Sequence, residues 1–256
     1  MNLNEIGRSR LLRIASSDQV PELSQSNSRF TISMNDTLDT QDVKAVSVIS
    51  VSFPNVFPNV SEAKGNNTLS ISINGGATQV LTVPDGFWDI DSLGAVLSDQ
   101  NLGPGFTVQI VSDATPYVQF IMDAPGDVIN IDTTGQLAQD LGFAPSQSSE
   151  VANILVANGL ASLSGETNAY LHSRVVGSNN LIDAEGDVFS VVASMPITAP
   201  FFTQNYYECP DDSLFLINFN KPRNLQRIEI RLRSLDGRIL EVGPNEEIVV
   251  MLRLYF

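Results

Sequence analysis

Residues 49 to 59 read Ile49-Ser50-Val51-Ser52-Phe53-Pro54-Asn55-Val56-Phe57-Pro58-Asn59, a run of apolar and polar alternation that stops at a pair of Pro-Asn steps. Alternation with period two marks a strand with one buried face, and proline, which has no N–H for a ladder, ends it. Upstream, within Val43 to Phe53, the apolar phase shifts before Ile49. A β-bulge produces such a shift, and so does burial of both faces.

The same punctuation recurs along the chain. Leu69, Ile71 and Ile73 alternate with Ser70 and Ser72, then Asn74-Gly75-Gly76 leads into Gln79 to Val83. Asn and Gly accept the positive φ angles of a tight primed turn, so this is a hairpin. Phe106 to Val111 and Tyr117 to Met122 form a second pair around Ser112 to Pro116. Ile228, Ile230 and Leu232 face one way and Glu229, Arg231 and Arg233 the other, before Asp236-Gly237 turns into Arg238 to Val242. That is the pattern of a sheet with one wet face. With Arg29 to Met34, Tyr170 to Val176, Val188 to Ala193, Leu214 to Phe219 and Ile248 to Phe256, the count reaches about ten or eleven strands, a jelly roll plus an extra hairpin. Leu252, Leu254 and Phe256 share a face, so the C-terminal strand belongs to a sheet and removal of Phe256 should harm folding.

Helix is scarce. Ile90, Leu93 and Leu97 recur at helical spacing between Asp89 and Asn101, with Asp89 or Asp91 as cap and Gly103-Pro104 as stop. A short turn is expected over Gln136 to Leu141, capped by Thr134, with Gly142 left-handed and Phe143 packing back on Leu137 or Ala138. Residues 144–165 are small and weakly patterned, and Val151 to Leu163 reads as a short helix or an exposed loop. Residues 1–27 are polar and without sustained period, an N-terminal arm of the kind that orders against a partner. The expected organisation is therefore an arm at 1–27 and one domain at 28–256 with a loop insertion near 144–165.

Composition agrees with a single packed β-sandwich: 256 residues, 43% apolar, are enough for a substantial core. The lone Cys209 forms no internal disulfide, and Leu11-Leu12-Arg13-Ile14 is too short and too charged for a signal peptide, so assembly in a reducing compartment is expected. No apolar run reaches the roughly 20 residues of a membrane-spanning helix. The net charge of −15 is uneven: residues 31–220 hold 21 of the 29 acidic side chains against three basic ones, Lys44, Lys64 and Arg174. Such a body repels nucleic acid, and its carboxylates serve mainly solubility. Arg8, Arg10 and Arg13 concentrate positive charge in the arm.

Reactive chemistry is thin. His172, the only histidine, has no His or Cys near it in sequence, and Cys209 stands beside Glu208, Asp211 and Asp212, which disfavour a thiolate. Asp183, Glu185 and Asp187 around Gly186 have oxygen ligands for calcium, but their spacing is not that of an EF-hand, and a solvated turn accounts for them more simply. Asp89 and Asp91 serve helix capping better than acid–base catalysis. No phosphate loop, dinucleotide turn, nucleophile elbow or zincin helix is present. The expectation is no catalytic residue, no cofactor and no metal. Asn35, Asn59 and Asn66 head Asn-x-Ser/Thr triplets that no secretory signal accompanies.

The ordered motifs Ser52-Phe53-Pro54-Asn55-Val56-Phe57, Val83-Pro84-Asp85-Gly86-Phe87-Trp88 before Leu93 to Leu97, Leu141-Gly142-Phe143, Ser178-Asn179-Asn180-Leu181, Val192-Ala193-Ser194-Met195-Pro196-Ile197, and Ile228 to Gly237 with Ile248 to Leu254 carry a family likeness. Over about residues 27–256 the chain resembles the single jelly-roll minor capsid, or penton, proteins of polinton-like viruses, virophages and related large double-stranded DNA viruses. It departs where Asn59-Val60 stands behind a second proline and over 144–165. The resemblance implies an all-β single jelly roll of two antiparallel sheets with one or two short helices and an extended N-terminal arm. It also implies a virion protein, assembled inside the host cell, that forms a homopentamer at the fivefold vertices beside a double jelly-roll major capsid protein. Arg8, Arg10 and Arg13 would then meet acidic neighbours or packaged DNA from the particle interior. Two other readings share the sandwich: a receptor- or carbohydrate-binding domain of a fibre or lectin, and a glycan-cleaving enzyme with paired carboxylates.

Overall fold

The computed structural model describes residues 8–34, 41–100, 107–110, 117–123, 127–143, 153–174, 181–182, 188–211 and 214–256. Its strands open with β1 (Ser9–Ala15), β2 (Arg29–Ser33) and β3 (Val43–Pro54). Then come β4 (Thr68–Ile73), β5 (Gln79–Thr82), α1 (Ile90–Asp99), β6 (Thr107–Ile110), β7 (Val118–Ile121), β8 (Ile129–Ile131), α2 (Gln136–Asp140) and β9 (Ile154–Val156). The chain continues with β10 (Asn168–Ser173), β11 (Leu181–Ile182), β12 (Val188–Pro196), β13 (Gln204–Glu208), β14 (Leu216–Arg223), β15 (Arg227–Arg233) and β16 (Val249–Tyr255). Sixteen strands among the described residues exceed the ten or eleven expected, because several are only two to four residues long.

Two compact units result: residues 1–57 with 166–256, and residues 58–165. The boundary falls at Phe57-Pro58, so the expected insertion near 144–165 is the tail of a much longer inserted segment.

In the first unit one sheet runs β1-β16-β3-β13 with β14 also on β3, and the other β11-β12-β10-β15-β2. Set aside the short β11 and treat β13 and β14 as one stretch, and eight strands remain. First pairs with eighth (β1–β16), second with seventh (β2–β15), third with sixth (β3 with β13 and β14) and fourth with fifth (β10–β12), all antiparallel. That nesting is a long antiparallel ribbon rolled into a sandwich, a single jelly roll. The second unit is inserted between its third and fourth strands. The core between the sheets takes Leu12 and Ile14 from β1, Phe30 from β2, Val46, Val48, Val51 and Phe53 from β3, Leu171 from β10, Ile230 from β15 and Leu252 from β16. Each such side chain contributes about 1.5–3 kcal/mol by leaving water.

The described part of the expected arm is an extended strand only over Ser9–Ala15, the first strand of the roll; Ser16–Asp18 and Pro21–Leu23 are 3-10 turns. Leu12 and Ile14 are buried while Leu11 and Arg13 face out. The arm therefore orders against its own C-terminal strand. Phe256, half-buried, packs against the core, and its N–H donates to the Arg8 carbonyl at 3.0 Å.

The phase shift before Ile49 is a bulge: β16 pairs Met251 with Ser50 and Leu252 with Val48, skipping Ile49. The freed Ile49 carbonyl accepts the Cys209 N–H at 2.8 Å. The wet face expected on β15 is not wet. Arg231 and Arg233 are buried, Arg231 against Glu229 and Arg233 with Nη1 donating to the Gly237 carbonyl at 2.6 Å.

The second unit has two three-stranded sheets, β5-β4-β8 and β6-β7-β9, with a core of its own. The β4–β5 hairpin turns through Asn74 at φ 54° and Gly75 at φ 69°, as its sequence requires. Asp89 caps α1, its carboxylate accepting the Ser92 N–H at 2.7 Å. Thr134 does not cap α2: the cap position is Gly135, and Thr134 instead donates its N–H and hydroxyl to Asp132. The short Asp132 side chain reaches Thr134 first and closes a local turn. At the other end Gly142 (φ 90°) and the 2.9 Å bond from Phe143 N–H to the Ala138 carbonyl close the helix. Within Val151 to Leu163 neither helix nor loop holds for Ile154–Val156, which is β9, antiparallel to β7.

Candidate assembly surfaces

The arm arginines occupy different environments. Arg8 and Arg10 are exposed, and the Arg10 guanidinium lies 5.8 Å from the Phe256 ring centroid. Arg13 bridges Asp18 and Glu247, each at 3.4 Å, so its charge is answered within the chain. Ser17 donates to the same Glu247.

The residues weighed for chemistry are engaged in structure. Asp89 is held below the ordinary carboxylate range by its hydrogen bonds from Ser92, which suits a cap and not a general acid. Cys209 is buried, with Sγ 2.9 Å from the Asp211 carbonyl. His172 lies on β10 opposite Arg231. Asp183, Glu185 and Asp187 lie outside the described residues, as do Asn35, residues 178–180 of the Ser178–Leu181 motif and the turn at 112–116. Among the described residues no group of three His, Cys, Asp or Glu side chains is placed to hold a metal, and no helix is long and apolar enough to cross a membrane. A cavity of about 370 Å³ is lined by Leu23, Gln25, Arg29, Thr31, Arg174, Arg227 and Glu229. It has one carboxylate where glycoside cleavage uses two, and that carboxylate is engaged by Arg231 and lies 4.0 Å from Arg174.

Two of the three glycosylation triplets, those at Asn59 and Asn66, prove to be internal fastenings. Asn59 is buried; its amide donates to the carbonyls of Trp88 at 2.7 Å and Leu163 at 2.9 Å, and its oxygen accepts the Trp88 N–H at 2.8 Å. Asn66 is also buried and donates to the Asn59 carbonyl and to Asp140, both at 2.9 Å. The Pro84–Trp88 motif folds around the same point: Gly86 exchanges backbone hydrogen bonds with Val60, and Trp88 Nε1 donates to the Pro84 carbonyl. In the first unit the structure brings two of the sequence motifs together. Asn55, from the 52–57 motif, donates its side-chain amide to the Ala199 carbonyl at 2.7 Å, just beyond the 192–197 motif.

With strand nesting and motif geometry in place, similarity to solved proteins can be weighed. The crystal structure of the mavirus penton protein is similar with a TM-score of 0.57 at 9% identity, over 97% of this chain and 99% of that one. The chain has the fold of that penton protein. A chain from the cryo-electron microscopy structure of the Sputnik virophage is similar with a TM-score of 0.51, also at 9% identity, over 96% of this chain and 97% of that one. No protein-family model matches the chain, and no curated protein does. At this identity the likeness is of backbone, and individual side-chain roles do not transfer with it.

One surface of this penton-like fold had no counterpart in the sequence reading. Residues 188–207 carry no Asp, Glu, Lys or Arg, although the chain as a whole has a net charge of −15. Within them Phe202 and Tyr206 are exposed, and Phe202 has φ 63°. A missing charge is visible in the sequence, but a left-handed phenylalanine is not.

Proposed function

We propose that this chain is a structural, non-enzymatic capsid protein: a penton subunit, five copies of which close a ring at each fivefold vertex of an icosahedral virion. The observation that supports the reading most is the four nested pairings of an eight-stranded single jelly roll together with a likeness to the mavirus penton protein over nearly the whole length of both chains. A sandwich of this kind offers rigid sides to identical neighbours, and a heterologous contact with fivefold rotation closes without leading to filaments.

In this reading the partners are sibling copies and a double jelly-roll major capsid protein, and assembly takes place inside the host cell. The segment 1–27 carries the internal contacts, with Arg8 and Arg10, both exposed, directed at acidic neighbours or packaged DNA. Native mass spectrometry of the full chain tests the ring: a pentamer is expected, and other closed stoichiometries contradict it. Deleting residues 1–27 is the wrong probe for the arm, since it removes β1. The double variant Arg8→Glu, Arg10→Glu keeps the strand and should lower incorporation into particles; unchanged incorporation removes the arginines from the assembly contact.

A further inference from the structure

The loop between β12 and β13 presents Phe202 with 78% of its surface exposed and with its backbone at φ 63°. A bulky residue adopts that left-handed region only where its surroundings hold it there. Two buried asparagines do so. The Asn55 carbonyl accepts the Phe202 N–H at 2.8 Å, the Asn55 N–H donates to the Thr203 carbonyl at 2.8 Å, and the Asn55 amide holds Ala199. From the other side, the Asn205 oxygen accepts the N–H groups of Thr198 and Ala199 at 3.0 and 3.1 Å, and its amide donates to the Pro196 carbonyl at 3.1 Å. The Phe201 ring, its centroid 4.1 Å away, supports the Phe202 ring.

Folding alone does not call for this arrangement. A large aromatic ring faces water, its backbone is strained, and the loop that carries it is fastened so that little freedom remains to be lost on contact. Pre-organised aromatic side chains of this kind anchor protein interfaces.

The surrounding charge selects the occupant. Two copies of a chain with net charge −15 repel wherever their carboxylates face one another, and residues 188–207 have none. We infer that Phe202 is the anchor through which one copy of this chain contacts the next. The inference rests on the ring reading above and assigns a residue to its interface. Closure of a ring requires a heterologous contact, so in this proposal the Phe202 ring seats on a different surface of the neighbour.

The test compares the wild-type full chain with Phe202→Asn by sedimentation and native mass spectrometry across micromolar concentrations, with thermal melting alongside. Asn tolerates the left-handed φ, so its melting temperature should equal or exceed that of the wild type. Self-association should weaken by roughly tenfold or more. Wild-type assembly by a Phe202→Asn chain that melts normally overturns the assignment and leaves the ring reading standing. A wild-type chain that stays monomeric throughout overturns the self-contact. Intact self-association with lost binding to a double jelly-roll capsid subunit overturns it also, in favour of that subunit as the occupant.

Discussion

Arg231 directs both Nε and Nη2 at one carboxylate oxygen of Glu229, each at 2.9 Å, from a side chain with no exposed surface. The two residues stand two positions apart on β15, on the same face of the strand. Removing one member of such a pair leaves a charge in a place that water does not reach, which costs far more than the pair itself contributes. Glu229→Ala should therefore lose about 3–5 kcal/mol of unfolding free energy in urea, whereas Glu229→Leu combined with Arg231→Met should lose clearly less. Equal losses in the single and double variants would show that the ion pair is not the source of the cost.

Asn59 makes three side-chain hydrogen bonds inside the second unit. Asn59→Ala orphans the Trp88 N–H and two carbonyls, and should destabilise by about 2–4 kcal/mol in denaturant titration. The same burial keeps the Asn59 and Asn66 amides from a glycosyltransferase acting on the folded chain. Expressed through a secretory pathway, the folded protein should carry no glycan at either position, as read by intact mass.

Among the described glycines, Gly142 is the one least able to accept a side chain. A Cβ there would lie 2.2 Å from the Gly159 carbonyl oxygen, and its φ of 90° is unfavourable for any L residue. Gly142→Ala should cost about 2–4 kcal/mol, while Gly75→Ala, left-handed but open, should cost about 1–2. The contrast between the two melting curves isolates the steric part.

Asp236 links stability to pH. Partial burial pulls its carboxyl upward, but hydrogen bonds from Ser234 and Arg238, with the Arg238 charge, outweigh that and hold it below the ordinary value of 3.8. A depressed folded value stabilises the fold above the unfolded value, and that contribution is lost as pH falls through the folded one. The difference in melting temperature between wild type and Asp236→Asn should be constant near neutrality and shrink below pH 3.8. A difference that persists unchanged into strong acid would rule out the carboxylate as its origin.

The features that sequence reveals are those decided locally. The Asn74-Gly75 turn, an acidic cap at Asp89 or Asp91 and the left-handed Gly142 each follow from chemistry within a few residues, whereas choosing a bulge at Ile49 over burial of both faces needs the partner strand Val249–Tyr255. The buried face of β15 was hidden because alternation records which residues share a side, not what lies over that side. Nor does the periodicity of Ser9 to Ala15 announce a strand, since it is an edge whose outward face keeps Leu11 and Arg13. β9 was missed for a related reason: Ile154 and Val156 are exposed and only Leu155 is buried, so three residues carry no measurable period. The candidate surface was legible only as an uncharged stretch. Its anchor depends on hydrogen bonds from Asn55, more than 140 positions away in the chain, which no local pattern contains.

The pairing of Ser9–Ala15 with Val249–Tyr255 sets the timing of biogenesis. On the ribosome β1 precedes its ladder partner by some 240 residues. Contacts within 58–165 can form during elongation, but the roll stays open until Val249–Tyr255 has cleared the exit tunnel. Closure of the roll thus waits on β16, so a translation product truncated before Val249–Tyr255 has no completed sandwich to offer an assembling shell.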